Sequence, residues 1–321
     1  MLAGQPFRFH GLNIYNANSR DNCSYNLQTG NALDQTLNAI GDGNQNVFRA
    51  WFYQQLATTH GARDWAAFDH TLAVAAAHNQ HVIATLADQW GDCESTAGPG
   101  IYKNEDWYQD GYRTERRPGL PATYREWVQE VVSRYKDNPT ILTWQLMNEA
   151  EDAQARNGSC SPNAAATLKA WAADMSTLVK SIDPKHLLSI GTIGGGQCGS
   201  RGDEYQALHD LPQVDLCEYH DYGQPTVPLP GDAYNGLQVR IDQCRALGKP
   251  LFVGEIGIER GEAGSLDNRA ALFAAKLEAL AQQGVAGWLL WAWMDGPHGG
   301  SRADQLSIGP GDPALAVLGR S

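Results

Sequence analysis

The sequence predicts a single (β/α)8 barrel, and three observations carry that prediction. Eight short apolar runs recur along the 321 residues, at 7–14, 47–52, 81–86, 140–147, 187–193, 214–219, 250–253 and 285–291. Segments with helical periodicity lie between them, at 33–40, 65–78, 123–135, 164–182, 235–247 and 268–283. The connections are also asymmetric. Those after the runs are long, polar, aromatic and rich in glycine (13–30, 88–121, 150–163, 194–203, 221–233, 256–266, 293–311), whereas those before them are as short as Asp137-Asn138-Pro139 and Asp183-Pro184-Lys185. Runs apolar on both faces and alternating with helices belong to a parallel sheet covered by helices. Eight such units in about 300 residues close as a barrel, and barrels of this length fold as one domain, here 1–321.

Each element follows in order. The first run feeds the loop 13–30, and the second carries Arg49. The third leads into Ala87-Asp88-Gln89-Trp90, and the fourth ends on Asn148-Glu149. In the helical segment that follows, Leu168, Trp171, Ala172, Met175, Leu178, Val179 and Ile182 share one face. The fifth run opens on Gly194-Gly195-Gly196-Gln197-Cys198-Gly199. The sixth leads to His220-Asp221-Tyr222, the seventh ends on Gly254-Glu255, and the eighth ends on Trp291. In such barrels the chemistry sits on the loops after the strands.

Composition narrows the partners. The net charge is −12 without any lysine or arginine run, which argues against nucleic acid, whose phosphates dominate affinity. No apolar stretch reaches the roughly 20 residues of a membrane-spanning helix. Met1-Leu2-Ala3-Gly4 lacks the features of a signal peptide, so the protein either stays in the cell or the sequence begins after cleavage. Six cysteines without a CxxC pair favour secretion and disulfides over a zinc site. Of 15 possible connectivities, Cys23–Cys93, Cys160–Cys198 and Cys217–Cys244 is the expected one. A monomer is expected.

Two glutamates closing apolar runs are the chief functional signal. A charge is costly inside a buried run, but at the mouth of a strand it can face a polar cleft. Paired carboxylates across a cleft are what glycoside hydrolysis requires. Rival carboxylates are Glu218, which points into the barrel or toward Arg49, and Glu151 and Glu259, which read as rim residues. His78 and His81, with His60 and His70 nearby, read as surface or core histidines, and the sequence shows no carboxylate–histidine cluster for a metal. The GxGxxG at 194–199 follows the fifth strand of an eightfold series and reads as a low cleft rim. No cofactor is expected.

At these strand ends the chain resembles glycoside hydrolase family 5 and its clan of retaining (β/α)8 enzymes. Asn148-Glu149 resembles the clan's Asn-Glu pair, which implies Glu149 as acid/base. Glu255 resembles the nucleophile of the seventh strand, Arg49 its supporting arginine, His220 and Tyr222 the His-x-Tyr, and Trp291 the tryptophan that floors the sugar site. Asp88-Gln89-Trp90 resembles the Asn-Asn-Trp of the family's β-mannanases, and Arg49-Ala50-Trp51 their Arg-x-Trp. The resemblance implies an endo-β-1,4-mannanase acting on an oligo- or polysaccharide. A β-1,4-glucanase, an exo-acting β-glycosidase and an inactive carbohydrate-binding barrel are the alternatives.

The implied chemistry sets expectations for the site. Arg49 and Tyr222 should hold the Glu255 carboxyl low, while burial against Trp144 and the charge of Glu255 should hold that of Glu149 high. Asn148 should reach the 2-hydroxyl, and His220 should orient Glu149 or a sugar hydroxyl. Trp90, Trp107, Trp291 and Trp293 fall on the active face, with binding favoured for Trp90 and Trp291. Trp65, Trp127 and Trp171 read as packing residues.

Overall fold

Eight parallel strands form the sheet of the computed structural model, which describes residues 7–19, 23, 29–41, 45–94, 101–294 and 305–319. They are β1 (Phe9–Asn13), β2 (Val47–Trp51), β3 (His81–Thr85) and β4 (Ile141–Gln145), then β5 (Leu187–Ser189), β6 (Cys217–Asp221), β7 (Leu251–Ile256) and β8 (Gly287–Leu290). Hydrogen-bonded neighbours run β5-β4-β3-β2-β1-β8-β7-β6. A parallel bridge from Ser189 to Leu216, just before β6, brings the two ends together and makes a (β/α)8 barrel. Gly11 leaves room for β2, since a Cβ there would lie 1.8 Å from the Val47 carbonyl oxygen.

The helices fall largely where periodicity put them. They are α1 (Ala32–Ile40), α2 (Ala66–Ala77), α3 (Tyr124–Tyr135), α4 (Ala164–Ile182), α5 (Asp203–His209), α6 (Leu237–Ala246) and α7 (Leu266–Gln282). Helix α3 opens with a full capping box, Thr123 and Glu126 satisfying each other's backbone N–H. The short α5 lies between the loop at 194–203 and the run at 214–219, where the sequence suggested no helix, and β6 begins three residues later than expected. The disulfides are Cys23–Cys93, Cys160–Cys198 and Cys217–Cys244, as expected. On the active face the first ties the first loop to the third, and the second ties the fourth loop to the fifth. Residues 1–6, including Met1–Gly4, lie outside the described residues, as do 20–22, 24–28, 95–100 and 295–304 within the first, third and eighth loops.

Inside the barrel the side chains form two storeys. At the N-terminal end Phe9, Val47, Ile83, Leu142, Leu216, Phe252 and Leu289 pack as one apolar layer, with Leu187 against it. Moving two residues along a strand returns to the same face. From that layer the inward set therefore becomes Asn13 on β1, Arg49 on β2, Thr85 on β3, Ser189 on β5, and Glu218 and His220 on β6. On β7 alternation alone would aim Gly254 inward. However, β7 carries one extra residue relative to both neighbours, with Tyr219 opposite Val253 but His220 opposite Glu255. This bulge re-aims Glu255 into the barrel. A similar shift on β4, between Ile141 and Thr143, brings Gln145 inward.

Candidate active site

The upper storey is a buried polar network, and Arg49 is its hub. The side chain is fully buried. Its Nε donates to Gln145 Oε1 at 2.7 Å, Nη1 to Asn13 Oδ1 at 3.0 Å and Glu255 Oε1 at 2.8 Å, and Nη2 to Asn148 Oδ1 at 2.6 Å. A planar fork of donors suits this many acceptors. Tyr222 Oη donates to the other oxygen of Glu255 at 2.5 Å. Glu149 stands opposite, with Oε1 3.0 Å from His220 Nδ1 and Oε2 accepting from Trp90 Nε1 at 2.6 Å. Glu149 itself adopts a left-handed backbone conformation, with φ of 61°. The second ring nitrogen of His220 faces Glu218 at 3.2 Å. Asn148 Nδ2 donates to Asp88 Oδ1 at 2.8 Å.

The site residues expected from sequence thus converge. Arg49, Asn148, Glu149, His220, Tyr222 and Glu255 meet at the C-terminal mouth, with Trp90 and Trp291 on the cleft wall. The cleft holds about 700 Å³ and is also lined by Tyr15, Trp51, Tyr53 and Arg156. Trp291 stacks on Tyr15 with centroids 5.3 Å apart, and Trp51 stacks on Tyr53 at 5.1 Å. These rings make a continuous aromatic wall, the kind of surface that covers the C–H face of a sugar.

Several expectations are corrected. Trp144 does not face Glu149: it is fully buried on the outer side of β4, with Nε1 donating to Asp183 Oδ2 at 2.8 Å. Trp107 and Trp293 are both buried, and Trp107 packs among Tyr108, Tyr112, Tyr124 and Trp171. Glu218 does point into the barrel, but to Gln145, Ser189 and His220. Asn13 and Gln145 were missed; each is a polar side chain in or closing an apolar strand, which is the signal that could have found them.

The proton affinities also run against expectation. Burial acts first on Glu149 and favours its neutral form. Hydrogen bonds from His220 and Trp90, with the charges of His220 and Arg49, outweigh it and hold the carboxyl below its ordinary value. Glu255 is raised, because its burial and the charge of Glu149 outweigh His220, Arg49 and Tyr222. For His220, burial disfavours the cation, yet Glu255, Glu149 and Glu218 around it push the imidazole up to about 10. Both directions favour the ring over Glu149 as the place of the pair's proton.

This has a sign that can be measured. An imidazole holding its proton more tightly in the fold than in the unfolded chain stabilises the fold fully below about pH 6.5. That contribution is lost as pH rises from there towards 10. The melting temperature is expected to fall more steeply between pH 6.5 and 10 in the wild type than in His220→Asn. Equal slopes would mean that His220 is neutral in the fold.

One donor atom each from Glu149, His220 and Glu255 lies within 4.8 Å of the other two, so folding builds the carboxylate–histidine cluster that the sequence did not show. Its donor atoms are committed to hydrogen bonds: both oxygens of Glu255 accept from Arg49 and Tyr222, and those of Glu149 face His220 and Trp90. The Arg49 cation beside Glu255 opposes a metal ion there. This donor set fits carboxylate chemistry rather than metal coordination.

A (β/α)8 barrel with this polar mouth and aromatic cleft is that of a glycoside hydrolase. The model of the cellulase family, glycosyl hydrolase family 5, matches residues 3–296, and the chain belongs to that family. Among curated relatives, mannan endo-1,4-beta-mannosidase 7 of Oryza sativa subsp. japonica is 28% identical over 80% of this chain and 74% of its own. Mannan endo-1,4-beta-mannosidase A of Podospora anserina is 25% identical over 96% and 83%. Among solved structures, the endo-1,4-beta-mannanase from Rhizomucor miehei superposes with a TM-score of 0.74 at 20% identity, covering 99% of this chain and 95% of that one. The endo-beta-1,4-mannanase from Thermotoga petrophila gives 0.73 at 20% identity over 100% and 77%.

Proposed function

We propose that this glycoside hydrolase is a secreted, monomeric, retaining endo-β-1,4-mannanase in which residues 1–321 form one catalytic domain. The observation that carries the mechanism is the approach of Glu149 and Glu255 across the cleft, with ligand oxygens within 4.8 Å. Retaining enzymes place their carboxyls about 5–5.5 Å apart, whereas inverting ones leave roughly 6.5–9.5 Å for a water. Glu255, ion-paired to Arg49, attacks the anomeric carbon as its nucleophile. Glu149 protonates the departing oxygen and then deprotonates the water that releases the sugar. Asn148, whose carbonyl and one N–H are spoken for by Arg49 and Asp88, has a second N–H to offer the 2-hydroxyl.

The names of the relatives favour mannan, as does Trp90 beside the acid. The three disulfides and the lack of any membrane-spanning helix among the described residues accord with secretion. A β-1,4-glucanase is the second reading, because Asp88 and Gln89 stand where the mannanases have two asparagines, and burial pushes the Asp88 carboxyl up to about 7. The test is reducing-sugar release from galactomannan, glucomannan and carboxymethylcellulose. Release from the mannans is expected to exceed that from cellulose by roughly ten- to a hundredfold, the worth of about 1–3 kcal/mol in buried hydrogen bonds. Release from cellulose alone would overturn the substrate and keep the chemistry.

A further inference from the structure

Glu218 is a carboxylate that the chemistry above leaves without a task. It is fully buried on β6, and its only ion pair among the described residues is with His220. Its other partners are neutral: Gln145 Nε2 at 2.7 and 2.6 Å from its two oxygens, and Ser189 Oγ at 2.6 Å. The direction of the Gln145 bonds is fixed from the far side. Arg49 Nε can only donate, so the Gln145 carbonyl must face it, and the Gln145 amide must then donate to Glu218. Glu218 is thereby held as an acceptor. A buried anion without a cation costs several kcal/mol, and His220 is the one partner able to become that cation.

The backbone makes room for this contact. A Cβ on Gly254 would lie 2.2 Å from Glu218 Oε1 and 3.1 Å from His220 Nε2. The glycine beside Glu255 therefore opens the space in which Glu218 and His220 meet. Gln145 in turn links Glu218 to Arg49 and, through it, to Glu255.

We infer that Glu218 is a positioning residue, which keeps a hydrogen on both ring nitrogens of His220 and makes that ring the store of the proton Glu149 delivers. The inference rests on the reading of Glu149 as the acid/base. In the first step Glu255 bonds to the anomeric carbon, and the bond to the leaving oxygen breaks with its electron pair on that oxygen. The hydrogen on His220 Nδ1 passes to Oε1 of Glu149, and Glu149 gives a proton to the oxygen, so the pair loses one proton and leaves an ionised Glu149 beside a neutral ring. In the second step water bonds to the anomeric carbon and displaces Glu255. The water's proton returns through Glu149 to His220.

The groups facing the ring are Glu149 beyond β4, Glu218 on its own strand and Glu255 on β7, whose nearer oxygen is 3.5 Å from Nδ1. Arg49 from β2 and Tyr222 act on the ring through Glu255. Removing the Glu218 charge takes away the anion that faces Nε2 alone.

The test compares wild type with Glu218→Gln in two ways. Nitrogen-15 spectra of labelled histidine at pH 8 should show both His220 ring nitrogens protonated in the wild type and only one in the variant. On mannan, where the leaving oxygen needs a proton, kcat/KM of the variant should fall roughly 10²-fold, with the alkaline limb moved down by about one pH unit or more. On a 2,4-dinitrophenyl β-mannobioside, whose leaving group needs none, the initial burst should change by no more than about threefold. Equal losses on both substrates with an unmoved alkaline limb would reduce Glu218 to scaffolding and overturn the inference. A singly protonated His220 in the wild type at pH 8 would overturn it even if the variant failed to fold. A wild type silent on every β-mannan and β-glucan would instead bring down the underlying reading, and the ring-proton count would still decide how Glu218 holds His220.

Discussion

Glu255→Gln is expected to lower mannan hydrolysis by roughly 10⁴- to 10⁶-fold, as when a covalent nucleophile is removed. The amide keeps an oxygen for the Arg49 donor and nearly the shape of the carboxyl, so the 2.8 Å contact to Nη1 can persist. What disappears is the negative oxygen able to form an ester with the anomeric carbon. Circular dichroism should be unchanged, and oligosaccharide binding should remain measurable by calorimetry. A variant that folds, binds and still hydrolyses within tenfold of wild type would transfer the nucleophile's role to another group, with Glu218 next in line.

Glu149→Ala should produce a different signature. General acid catalysis contributes typically 10²–10⁴-fold, and its weight depends on how badly the leaving group needs a proton. On mannan the loss should approach the upper part of that range. On a 2,4-dinitrophenyl glycoside, bond cleavage should proceed and the glycosyl-enzyme should accumulate, because no base remains to activate water. A pre-steady-state burst followed by a slow phase is the expected trace. Azide, which needs no base, should speed the slow phase and yield a glycosyl azide with the configuration of the substrate. Loss of the burst along with turnover would place Glu149 in nucleophilic attack rather than proton transfer.

Much of this site could be read from the sequence because it is carried by strand ends. Apolar runs that stop on Asn148-Glu149 and Gly254-Glu255 announce themselves against the cost of burying charge, and Arg49 was legible through its resemblance to the family's supporting arginine. The cysteine pairing was one expectation among 15 connectivities, and the three bonds of the structure match it. What stayed hidden depends on side-chain direction. Trp144 looked inward by proximity to Glu149, yet it packs outward on Asp183. Where the pair's proton rests could not be read either, because the three acidic neighbours of His220 come from different parts of the chain. Glu218 was visible only as a rival carboxylate, since its partners Gln145 and Ser189 lie on other strands.

The extra residue in β7 has a consequence for how such a site can change. Because Glu255 faces the substrate only through that offset, its aim depends on the length of the strand as well as on the identity of the side chain. Inserting one residue between Gly254 and Glu255 would leave every catalytic residue type in the sequence. It would also shift the glutamate by one position and turn it toward the surrounding helices, whereas a strand without the extra residue, in which the glutamate followed Val253 directly, would face it inward by simple alternation. Inactive relatives of such a barrel can thus arise by lengthening a strand by one residue, with all their acidic residues still in place, and a residue-by-residue inventory would pass them as active.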